Sequence, residues 1–126
     1  MKVKIIKVIS KIPQIKVWCK TDLGNLSLIW KDDNPIENQE YEVELENDEI
    51  LMLNNNVYIT EELPTIFEDE QGITIIGDLE SIDEDGYLVM RVENSIISFL
   101  AQNINLNVGL RIMIQITFLE AYPVSY

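Results

Sequence analysis

The chain has 126 residues, 47% hydrophobic and 25% charged, and its 22 acids against nine bases, with no histidine, give a formal net charge of −13. That composition suits one compact domain or two very small ones, not a disordered acidic tail, and the missing histidine removes serine and cysteine triads, imidazole bases and most zinc or iron sites. No stretch nears the ~20 apolar residues that cross a bilayer, and the lone Cys19, expected to be a small buried hydrophobe, fits a reducing cytoplasm.

From Met1 to Ile9 lysine is interleaved with valine and isoleucine. Val3 and Ile5 share one phase, and Ile6 and Val8 the next after a one-residue slip. This predicts a first strand with a bulge and a lysine-bearing outer face; a signal peptide would need an unbroken apolar core and a small-residue cleavage site. Strands at Ile15–Lys20 and Asn25–Trp30 flank a turn at residues 22–25. Glu40–Glu46 alternates most cleanly: Tyr41, Val43 and Leu45 form a core face, and Glu40, Glu42, Glu44 and Glu46 form a carboxylate ladder on the other. After a turn at Asn54–Asn56, Val57–Ile59 leads into the acidic segment Glu61–Gln71, which contains Pro64 and reads as a connector. Ile73–Ile82 and Tyr87–Val92 make a second hairpin across Asp83–Gly86, where Asp-Gly tolerates positive φ. Ser95–Ala101 and Leu110–Leu119 complete an all-β reading.

Sliding the sequence against itself by 71 positions aligns the two halves. Val17 and Cys19 meet Leu88 and Met90; Leu26 and Leu28 meet Ile97 and Phe99; Tyr41, Val43 and Leu45 meet Ile112, Ile114 and Ile116. This reads as two β units, 1–55 and 72–126, joined by an acidic connector, 56–71. The expected architecture is two tandem small barrels of the OB or SH3-like kind, or a single sandwich or barrel built from both halves.

Charge is polarised along the chain: residues 1–31 hold seven of the nine bases and one acid, a net +6, and the remainder carries −19. A net −13 repels nucleic acid and anionic lipid, so neither is the expected partner, and a basic protein is. Candidate partner-binding residues are Glu37, Glu40, Glu42, Glu44, Glu46, Asp48 and Glu49, with a second patch at Asp78, Glu80, Asp83, Glu84 and Asp85. Glutamates on one strand face stand about 7 Å apart and repel one another unless cations share the face. Those cations come either from the lysines of the first strand or from a partner. Trp18 and Trp30 read as core residues by default, and Trp30 becomes an interface anchor if it is exposed beside the acids. Neither Asp32-Asp33 nor Asp83–Gly86 has calcium-loop spacing, so no metal or cofactor is expected.

The stretch from Ile76-Gly77-Asp78-Leu79-Glu80 through Asp85-Gly86 and Asn107-Val108-Gly109 to Phe118-Leu119-Glu120-Ala121-Tyr122-Pro123 resembles small bacterial proteins that end in a strand before Tyr-Pro. In size, acidity and lack of histidine the chain also resembles the immunity proteins of bacterial polymorphic and contact-dependent toxin systems. That resemblance implies a non-enzymatic cytoplasmic protein that binds and blocks a cognate toxin, often a basic nuclease. Two other readings stand beside it: a tandem OB-like module that binds nucleic acid through the N-terminal lysines, and an enzyme working through carboxylates alone.

Overall fold

A computed structural model describes residues 1–124. They form eleven strands: β1 (Lys2–Ser10), β2 (Ile15–Lys20), β3 (Asn25–Trp30), β4 (Glu40–Glu46), β5 (Val57–Ile59), β6 (Thr65–Asp69), β7 (Gly72–Ile82), β8 (Tyr87–Val92), β9 (Ser95–Leu100), β10 (Arg111–Ile116) and β11 (Glu120–Pro123). The all-β expectation holds. Among the described residues no helix is long and apolar enough to cross a membrane.

Five strands close on themselves. β1 pairs with β2, β2 with β3, β3 with β11 in parallel, β11 with β4, and β4 with β1. This five-stranded circuit, in which the last strand enters between the third and fourth, has the Greek-key form of an OB-type barrel. Inward positions alternate as a pleated strand requires: Val3 and Ile5, Val17 and Cys19, Leu26 and Leu28, Val43 and Leu45, and Ala121 are all buried.

The same pairing scheme recurs in the second half. β8 meets β9 through Leu88↔Phe99, and β2 meets β3 through Val17↔Leu28, the same register displaced by 71 positions. β7 relates to β1 differently, because Leu79↔Met90 corresponds to Ile5↔Cys19, a displacement of 74 along the first strands. Both first strands then slip by one residue, at Ile6 and at Glu80. The expected gapless alignment therefore needs a three-residue gap, which falls in the longer β1–β2 hairpin. The expected bulge in the first strand is present, with Ile6 as its extra residue.

Each half receives its closing strand from the segment that follows the other half's fourth strand. β11, which follows β10, completes the first barrel, and Lys31 N donates to Ala121 O at 3.0 Å. The chain after β4 supplies Leu51, which bridges Ala101 in parallel, and β5, which pairs with β10. There Gln102 N donates to Leu51 O at 2.9 Å. The two connections are joined where they run side by side: Asn47 Nδ2 donates to Phe118 O at 2.5 Å, and Thr117 N donates to Glu49 Oε1 at 2.8 Å. The eleven strands form one continuous sheet, joined where β4 pairs with β9 in parallel, and neither 1–55 nor 72–126 contains all the strands that complete its part of it.

The segment expected as a connector contains β6, paired with β7 through Ile66↔Ile75. Pro64 stands just before that strand and so removes no ladder donor. β6 also lies against β3: Ser27 N donates to Glu68 Oε1 at 3.1 Å, and a Cβ built on Gly24 would overlap the Ile66 carbonyl oxygen.

Two outcomes test this fold. Ala121 is 0% exposed between β3 and β4, so Ala121→Asp buries an unpaired carboxylate and should cost more than about 3 kcal/mol in urea unfolding. Burial pushes the Cys19 thiol up to about 12; a thiol-specific disulfide reagent should leave it untouched in the native protein and titrate one thiol after unfolding.

Candidate functional site

The carboxylate ladder on β4 is split by its neighbours. Toward its start, β1 places Lys2 opposite Glu42 and Lys4 opposite Glu40, and the N-terminal ammonium lies 3.1 Å from Glu42 Oε1. The protein's own first strand thus supplies cations for this half. Toward its end, Glu44 lies opposite Tyr122, and Glu46 lies opposite Glu120 on one side and Ser98 on the other. Two carboxylates facing across a strand pair repel. Lys31 Nζ, 3.1 Å from Glu120, is the cation that reaches this group, and that contact holds the Lys31 ammonium above its usual range.

The other expected site residues divide by what they touch. Glu37 Oε1 accepts from Val8 N at 3.2 Å in the bulged part of β1. Glu49 Oε1 accepts from the Thr117 backbone and hydroxyl, so its charge serves the joint between the two connections. Asp78 and Arg111 pair at 2.6 Å, and Glu80 and Arg91 pair through two hydrogen bonds at 3.0 and 3.1 Å. Arg91 holds the Glu80 carboxyl below the usual range, first through its hydrogen bond and then through its charge. Asp83 Oδ1 accepts from Tyr87 N at 2.9 Å and shapes the turn, leaving Glu84 and Asp85 exposed beside it.

Trp30 is not an anchor. It is 4% exposed, its indole N–H donates to Asp33 O at 3.0 Å, and its ring meets Tyr41 edge-on at 4.9 Å. The placement follows from strand phase, because Leu26, Leu28 and Trp30 share the inward face of β3.

What remains is one edge. Asp48 is exposed just beyond Glu46, and both border a hollow of about 290 Å³ with Tyr87, Ser98, Leu100 and Glu120. Tyr87 is 51% exposed, Leu100 37% and Tyr122 36%, and Tyr87 and Leu100 are cross-strand partners. Tyr87 is also held to Asp83 through both backbone groups, so the Asp83–Asp85 turn stands next to Tyr87, although its acids line a separate hollow with Ala101 and Gln102. The fold therefore brings Glu44, Glu46 and Asp48 beside an aromatic and aliphatic surface. It leaves Glu40 and Glu42 among lysines, Asp78 and Glu80 with arginines, and Glu37 and Glu49 on backbone donors. Tyr87, Leu100, Glu120 and Tyr122 belong to this edge and were absent from the sequence-based set. Their only sequence signal was outward phase on short strands.

Among the described residues no group of three or more histidine, cysteine, aspartate or glutamate side chains is arranged to hold a metal ion. Compared with protein-family models, curated proteins and solved structures, the chain matches none.

The division between paired and free carboxylates is open to titration. With its folded pKa lowered, Glu80 contributes stability above the pKa of an unfolded glutamate, and that contribution fades as pH falls through the folded value. Arg91→Ala should move the Glu80 carboxyl titration upward toward the ordinary range in carboxyl-resolved NMR; an unmoved titration contradicts the assignment of Glu80 to Arg91.

Proposed function

We propose that this chain is a non-enzymatic acidic binding protein, an immunity-type inhibitor that acts in the cytoplasm on a basic protein toxin such as a nuclease. The observation that carries this reading is the uncompensated end of the glutamate ladder, where Glu44, Glu46 and Asp48 border exposed Tyr87, Leu100 and Tyr122. Interfaces of measurable affinity combine aromatic anchors with a charged rim. Here the acids are Glu46, Asp48 and Glu120 around the hollow, with Glu44 next along the strand. Carboxylates in such a rim attract a basic surface before contact, raise the association rate and penalise acidic competitors.

The reading favours this edge over the other expected site residues because Glu37, Glu42, Glu49, Asp78 and Glu80 already have partners. A lysine or arginine from a toxin would meet Glu44, Glu46 or Asp48 without first displacing an internal cation. At Glu42 or Glu80 it would compete with the N-terminal ammonium or Arg91. Exposed ion pairs of that internal kind are worth ~0–1 kcal/mol each, enough to dull the attraction but not to reverse it. The same edge can take an aromatic or aliphatic side chain of the partner between Tyr87 and Leu100.

The test uses a basic protein toxin in a catalytically silent form. Binding should weaken at least about tenfold between 50 and 500 mM salt, because rim charges are screened over a Debye length of roughly 10 Å or less. The triple variant E44K/E46K/D48K should lose about a hundredfold or more in affinity, mostly in association rate. A variant with the same change in net charge placed elsewhere, D32K/E61K/E70K, should lose far less. No binding by that partner, or equal losses in the two variants, overturns the proposal.

A further inference from the structure

The lysines of β1 and β2 form a basic patch on the outer surface of the first barrel, continuous with the end of the ladder where Lys4 lies opposite Glu40. Strand register places them in a grid on its outer surface. Lys4 and Lys20 are partners across β1 and β2, with Asn25 next on β3; Lys7 and Trp18 are partners, with Ser27 next; Ser10 and Lys16 are partners, with Ile29 next. The bulge at Ile6 makes this possible. Without it, strict alternation after Val3 and Ile5 would turn Lys7 inward, whereas the slip returns Lys7 to the outer face beside Trp18. Among the described residues Lys4, Lys7, Lys16 and Lys20 form no ion pair. Lys4 and Lys20 sit directly opposite each other, with Glu40 beside Lys4 as the one carboxylate in their row, while Lys7 and Lys16 have no acid opposite them on the neighbouring strands.

We propose that this outer face of β1 and β2 binds single-stranded nucleic acid, with Lys4, Lys7, Lys16 and Lys20 tracking the phosphates and the half-buried Trp18 stacking on a base. Three features support that ligand. Lys16, Trp18 and Lys20 recur on one strand face at intervals of about 7 Å, close to the spacing of phosphates along an extended strand. The surrounding barrel is of the OB type, and of the two strands that form the oligonucleotide face of such barrels only β2 is open here, since β6 lies on β3. The ring lies in the middle of the lysines, where a base can stack on it while its phosphates meet the ammonium groups. β6 covers the β3 side through Glu68 on Ser27, which leaves the β1–β2 side as the open track.

The net charge of −13 does not decide the matter, because its field is screened over about 8–10 Å at working salt. The local charges do. Asp22 and Glu40 border Lys4 and Lys20 at one end of the face, and Asp48 and Glu120 share a hollow with Lys16 at the other. They confine a polyanion to the central track and keep its affinity modest. This inference is independent of the acidic edge and of any protein partner.

The test is fluorescence anisotropy of labelled dT and rU 12-mers at 20 mM salt, with Trp emission recorded in parallel. Binding should be saturable and quench Trp18. With about four phosphate contacts, each contributing a slope of roughly 0.7, affinity should fall by nearly three decades for a tenfold rise in salt. K4A/K7A/K16A/K20A should abolish binding, Trp18→Phe should weaken it about tenfold, and E44K/E46K/D48K should retain it. Because the lysines are exposed, cooperative unfolding of the quadruple variant confirms that it is folded. No binding at 20 mM salt, or binding unchanged in the quadruple variant, overturns the proposal. So does binding to vesicles with one-third phosphatidylglycerol without quenching by the oligomers, which would make the face a lipid surface.

Discussion

The insertion of β11 between β3 and β4 is the constraint on which the other features depend. A barrel whose third and fourth strands lacked a neighbour would leave a row of backbone donors and acceptors without partners, and such edges also invite pairing with other chains. β11 satisfies both strands at once, parallel to β3 and antiparallel to β4. It comes from the far end of the sequence, so the first barrel is complete only when the second half has been made. The reverse holds for the part of the sheet built by the second half, where Leu51 and β5 supply strand partners.

The same insertion sorts the charges. With β11 on one side of β4 and β1 on the other, a regular ladder of four glutamates acquires two different surroundings. Glu40 and Glu42 look across at lysines, while Glu44 and Glu46 look across at Tyr122 and Glu120. Backbone pairing, not any attraction between the side chains, sets this pattern, since exposed ion pairs contribute too little to direct strand order. Function is then proposed at the place where topology leaves charge unbalanced. The positive charge on the outer face of β1 and β2 has the same origin, because these strands turn their lysines toward solvent and away from the core.

Much of this was legible in the sequence. Period-two alternation located β2, β3, β4 and β8, and the phase slip in the first nine residues marked the bulge. The carboxylate ladder was equally plain. Three things were hidden, each for a physical reason. β6 was masked by Pro64 and its acids, because a strand that begins just past a proline carries few local signals. β11 is four residues long, and its pairing with β3 and β4 spans the whole chain, so no window of sequence contains both partners. The fates of the acids depended on which strand lay alongside. Asp78 and Glu80 look no different from Glu44 and Glu46 in sequence; they differ because Arg111 and Arg91 come from strands beside them. Trp30 was decided by strand phase, which put it in the core beside Tyr41.

The most direct measurement of the central claim is a map of backbone amide shifts when the unlabelled basic partner is added to the isotopically labelled chain. The account predicts that shifts concentrate at Glu44–Asp48, Asp83–Tyr87, Leu100 and Glu120–Tyr122 and spare Lys4, Lys7, Lys16 and Lys20. Shifts centred on Glu40, Glu42, Asp78 and Glu80, or spread evenly over every acidic strand, would contradict it.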